Sequence, residues 1–156
     1  MTICVDRSKT RPASKRFMTI HKAQVIWNAA AAPNGAISAM PSVLAEALYS
    51  LTMRFESGKG RSPEELLAAA HAGRFTLDLA HSLQVAGYAP KELSTEAIVT
   101  QEPDGPGYRI SCSALTLRAE VPNLTRETFE AMAHAVNNCP ISKVLRAQIR
   151  LNSRLL

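Results

Sequence analysis

About 24 consecutive residues starting at Pro63 read as one helix, roughly 36 Å long, whose circumference is mostly Leu, Ala, Phe and Val. Ser62, Pro63, Glu64 and Glu65 form a capping box, with proline at the first helical position and acids at the positive end of the dipole. The pattern runs to about Ala86 and meets Gly87, a natural left-handed terminator. A helix apolar on so many sides cannot face water, so it predicts the buried spine of the fold. A chain of 156 residues buries about two-thirds of its unfolded surface, enough for a core without disulfides or metal. One copy of so small a body cannot cover that rod, which predicts a homodimer.

Around the spine, residues 18–28 alternate with Ala23, Val25 and Trp27 on one face, which suggests a strand. Residues 29–41 read as a turn plus an ambiguous short strand, and residues 43–55 fit helix or strand on propensity alone. Residues 93–100 and 109–121 read as strands around a turn at 101–107, the second placing Ser113, Leu115 and Leu117 on one face. Thr125 caps a second helix carrying Phe129, Met132, Ala133 and Val136 at 3-4 spacing, which breaks at Asn137 to Pro140. Leu145, Ala147, Ile149 and Leu151 alternate with polar residues as a last strand. The class is α+β, with strands at both ends of two main helices.

The basic charge is concentrated in one stretch. Residues 1–17 hold Arg7, Lys9, Arg11, Lys15 and Arg16 against Asp6, which is +4 of the net +5; the other 139 residues carry only +1. A nearly neutral body offers no phosphate-tracking face, so neither nucleic acid nor membrane is an expected partner. Residues 1–17 read as a flexible basic extension without the apolar region of a secretory signal, and residues 18–156 as the single domain. Met18 opens MTIHKAQVIW, which itself resembles a chain start. A hydrophobic fraction of 46% with 20% charged residues excludes a disordered chain. No apolar run approaches the length of a membrane span. Three cysteines, Cys4, Cys112 and Cys139, are no disulfide framework, and they point to a reducing cytoplasm.

Two groupings could carry chemistry. Glu64, His71, Arg74, Asp78 and His81 fall within about 100° of one another on the long helix, as one polar stripe. They form either a solvated face with an Arg74–Asp78 pair worth a few tenths of a kcal/mol, or a stripe turned toward a cleft or partner subunit. Two histidines without a carboxylate set make no recognisable metal site, and no cofactor motif is present. Cys139 precedes Pro140, which can open a short helical turn. Its thiol is either an inert core group or a thiolate favoured by a helix start and nearby arginines.

Taken together, MTIHKAQVIW (18–27), the run Met53, Arg54, Phe55, Glu56, the helix start with His71, Ala72, Gly73, Arg74, Phe75, and the run Asn138, Cys139, Pro140, Ile141, Ser142 resemble the OsmC/Ohr family, the osmotically inducible and organic hydroperoxide resistance proteins. The resemblance spans Met18 to the C-terminus and leans to the OsmC branch. It implies antiparallel sheets wrapped around two main helices in an intertwined homodimer, with two active sites at the subunit interface, and it makes residues 43–55 a strand. The implied chemistry is thiol peroxidation. A cysteine on the long helix attacks the hydroperoxide, becomes a sulfenic acid, and is captured by a resolving cysteine. The matching positions are Arg54 and Glu64 for the pair that holds the thiolate and polarises the peroxide, and Cys139 for the resolving cysteine.

The nucleophile's position holds Arg74, and a guanidinium cannot form a sulfenic acid. The two-cysteine cycle therefore cannot run. Two functions remain. In the first, the interfacial pocket is kept and binds a small apolar-tailed molecule, with Arg54, Arg74 and His71 as binding groups. In the second, Cys139 serves alone as the peroxidatic thiol, with Arg74 and Arg54 stabilising its thiolate and an external thiol completing the cycle.

Overall fold

The computed structural model describes residues 18–31, 36–40 and 62–156. The expectations for residues 1–17, for the strand at 43–55 and for Arg54 lie outside the described residues.

The long helix α1 (Pro63–Val85) begins as its sequence dictates. Ser62 is extended, at φ −86° and ψ 153°, and its Oγ accepts the Glu65 N–H at 3.1 Å. At the far end, Gly87 takes φ +84°, and the amides of Gly87 and Tyr88 donate to the carbonyls of Gln84 and Leu83. That pair of bonds is the Schellman closure, which needs a residue tolerant of positive φ at position 87.

Five strands form one sheet: β1 (Thr19–Asn28), β2 (Ala36–Met40), β3 (Glu92–Asp104), β4 (Gly107–Glu120) and β5 (Gln148–Leu155). Their spatial order is β2-β1-β3-β4-β5. The first four pair antiparallel, and β5 joins β4 in parallel, Leu115 opposite Leu151. Strands β3 and β4 run closer together than the sequence suggests. The turn shrinks to Gly105 and Pro106, with Gly105 at φ +53°, and pairing continues through Pro103 and Tyr108. A register shift between Thr100 and Gln101 absorbs the odd residue.

Alternation then sets the core. Ala23, Val25 and Trp27 of β1, Leu93, Ala97 and Val99 of β3, and Leu115, Leu117 and Ala119 of β4 are buried on one sheet face. Against that face lies the α1 stripe of Ala68, Ala72, Phe75, Leu79 and Leu83. Phe129 and Ala133 of α2 (Arg126–Val136), a helix capped by Thr125, complete the cluster. A five-residue helix α3 (Pro140–Val144) follows. Within one chain α1 is buried along one side only: Leu77 and Val85 stay 49% and 75% exposed. No described helix is long and apolar enough to cross a membrane.

Candidate functional site: a thiol joined to a buried histidine

The start of α1 is pinned by two strands. His21 Nδ1 of β1 lies 2.7 Å from Ser62 Oγ, and Gln101 Nε2 of β3 donates to Glu64 Oε1 at 3.1 Å. Glu64 is thus half-buried and oriented by an amide from the sheet rather than left to solvent.

The polar stripe expected along α1 divides. His71 falls on the same side as Ala68, Ala72 and Phe75 and is fully buried. Arg74 turns outward: its Nη2 is 2.9 Å from Asp78 Oδ1 and its Nε donates to Oδ2 at 3.0 Å. His81 is also exposed. Within one chain the expected Arg74–Asp78 pair forms and Arg74 and His81 are exposed, whereas His71 is buried.

Cys139 is 3% exposed and caps α3, with φ −68° and ψ 165°. Its Sγ accepts the Ser142 N–H at 3.4 Å and lies 3.4 Å from Ser142 Oγ. That hydroxyl lies 2.9 Å from His71 Nε2, and His71 Nδ1 lies 2.8 Å from Ser113 Oγ on β4. The result is one chain of polar contacts from sulfur to strand: Cys139, Ser142, His71, Ser113. Burial pulls the His71 pKa below its usual 6.5 and favours the neutral ring. A neutral imidazole has one donor and one acceptor nitrogen, and two hydroxyls can serve either.

The structure therefore joins Cys139 to His71 through a serine, and directs the polar contacts of Arg74 to Asp78. Among the described residues no hydrogen bond links Arg74 to Cys139. Ser113 and Ser142 were not singled out as functional by the sequence. The available signal was local: Ser142 follows Cys139 by three residues, the spacing from a helix cap to the amide it accepts. Cys112 neighbours Ser113 on β4 and is half-buried, with its thiol free. A cavity of about 330 Å³ lies on the opposite sheet face against Gln24, Ser94, Arg118 and Glu120, and includes none of these site residues.

Comparison with known proteins connects the chain to a family. The profile of the family described as OsmC-like protein matches residues 56–154. Peroxiredoxin OsmC of Escherichia coli is 37% identical over 141 residues, covering 88% of this chain and 99% of that protein. The crystal structure of an organic hydroperoxide resistance protein OsmC from Legionella pneumophila aligns with TM-score 0.57 at 19% identity, over 92% of this chain and 98% of that one. An organic hydroperoxide resistance protein from Elizabethkingia anophelis aligns with TM-score 0.58 at 20% identity, over 92% and 100%. These likenesses in sequence and fold show that the chain belongs to the OsmC family.

Proposed function

We propose that this protein is a homodimeric OsmC-type stress protein of the cytoplasm. It holds an apolar-tailed small molecule, such as an organic hydroperoxide, at its subunit interface without running the two-cysteine reduction cycle. The observation that carries this reading is Arg74. Where the family's attacking thiol belongs there is a guanidinium, 49% exposed at its side chain and paired with Asp78. A second copy of the chain is the natural cover for Leu77 and Val85, apolar groups on the side of α1 that a single chain leaves exposed. Glu64, oriented by Gln101, and Arg54 retain their family positions as binding groups.

The test is consumption of an alkyl hydroperoxide with a dithiol reductant. Wild type is expected to show no turnover. Arg74→Cys, which removes bulk and adds the missing thiol, is expected to gain turnover and form an intramolecular disulfide with Cys139 under peroxide. Wild-type turnover that disappears in Cys139→Ser overturns this reading.

That outcome belongs to a second reading, which the contacts of Cys139 favour. Here the Cys139 thiolate attacks the hydroperoxide oxygen and takes up one oxygen as sulfenic acid, while the other leaves as the alcohol after protonation. Two external thiols then return the thiol, release water and leave as a disulfide. The Ser142 N–H donates to the sulfur and the Ser142 hydroxyl lies 3.4 Å from it, so both could donate to a thiolate.

A further inference from the structure

We infer that His71 is the positioning residue for the Cys139 thiol, exchanging a proton with it through the Ser142 hydroxyl. The inference deepens the one-cysteine reading and rests on it.

The three contacts can be satisfied in both protonation states. With a neutral ring, Sγ–H donates to Ser142 Oγ, Ser142 O–H donates to His71 Nε2, and Nδ1–H donates to Ser113 Oγ. To ionise the thiol, its proton passes to Ser142 Oγ while the Ser142 proton passes to Nε2. One proton has moved, no electrons are exchanged, and His71 has become imidazolium. The thiolate then accepts both the hydroxyl and the N–H of Ser142, and Ser113 still accepts from Nδ1. No polar group loses its partner in either state, which is what a buried proton path requires.

Three separate elements converge to make this path. His71 comes from the buried side of α1, Ser113 from the inward face of β4, and Ser142 from α3, whose cap is the thiol itself. A buried histidine serving only as filler needs partners for its nitrogens, and Ser113 would meet one of them. It does not need the second nitrogen tied to the hydroxyl beside the chain's one buried, described thiol.

The experiment uses the full chain carrying Cys4→Ser and Cys112→Ser, so that Cys139 is the sole thiol. It reads alkylation by iodoacetamide at fixed neutral pH together with the ultraviolet absorbance of the thiolate. Ser142→Ala is expected to slow alkylation by about tenfold or more, the rate equivalent of one lost hydrogen bond to a charged sulfur, and to lower the thiolate signal. Ser142→Thr, which keeps the hydroxyl, is expected to restore both. His71→Gln is expected to repeat the Ser142→Ala effect; because that site is fully buried, Ser142→Ala on the half-buried α3 position carries the test alone if His71→Gln fails to fold. Alkylation in Ser142→Ala as fast as in the parent, with an equal thiolate signal, overturns the relay. Hydroperoxide turnover in the same proteins tests the other layer separately: normal relay behaviour without turnover overturns the one-cysteine reading and leaves the relay standing.

Discussion

His71 Nε2 and Ser142 Oγ stand 2.9 Å apart, joining the middle of the central helix to a five-residue turn that lies 71 positions further along the chain. This side-chain hydrogen bond ties α1 to α3, the turn whose cap is Cys139. The α3 turn is too short to hold itself, so its geometry depends on that contact and on packing.

His71 should make stability depend on pH. Burial lowers its folded-state pKa below the usual 6.5, so the unfolded chain binds more protons as pH falls through that value. The resulting contribution is fully present above about pH 6.5 and is lost progressively below it. Urea midpoints between pH 8 and pH 5.5 should fall with acid in the wild type and fall less in a folded His71→Gln variant.

Arg74→Ala should leave the fold nearly untouched. The Arg74–Asp78 pair is exposed and lies at i,i+4, a setting worth about 0.3–0.5 kcal/mol. A loss above roughly 1 kcal/mol in chemical denaturation would show that Arg74 supports more than this pair.

Ser62→Ala should cost about 1–2 kcal/mol. It removes the cap acceptor for the Glu65 N–H and also the partner of His21 Nδ1. Thr125→Ala is the companion measurement. It deletes a cap of the same kind on the exposed α2 start, so its loss should be the smaller of the two.

Phe75→Ala should be the most damaging of these substitutions, at about 3–5 kcal/mol. The ring is fully buried between α1 and the sheet, and truncation leaves a cavity. Deletion of residues 1–17 is the opposite case. That stretch carries charge without a core pattern, and its loss should move the thermal midpoint by no more than about 2–4 °C, the equivalent of about 1 kcal/mol in a chain of this length.

The elements with chemical punctuation were legible in the sequence. Ser62, Pro63 and Gly87 marked both ends of α1, Thr125 marked α2, and the alternation of Ser113, Leu115 and Leu117 gave the inner face of β4. The direction of β5 was not legible, because a period of two is the same in parallel and antiparallel strands. Which members of the polar stripe turn inward was not legible either, for a related reason. Angular position on a helix groups it with Arg74 and Asp78, yet burial depends on where the sheet and α3 lie, and two serines remote in sequence make an inward histidine tolerable. Arg74, by contrast, was read as either paired or pocket-facing, and the i,i+4 pairing is the one observed.

The parallel seat of β5 sets an order of assembly. Strands β3 and β4 are neighbours in sequence and close through a two-residue turn, so they can zip as soon as both exist. Strand β5 makes up nearly all of the last nine residues and docks beside β4 only after the chain has passed through α2 and α3. Because Cys139 lies on that return path, its link to His71 through Ser142 and the final strand pairing belong to the late, long-range stage of folding. A protein clipped just before β5 should therefore keep its central hairpin and still lose the architecture that holds its thiol.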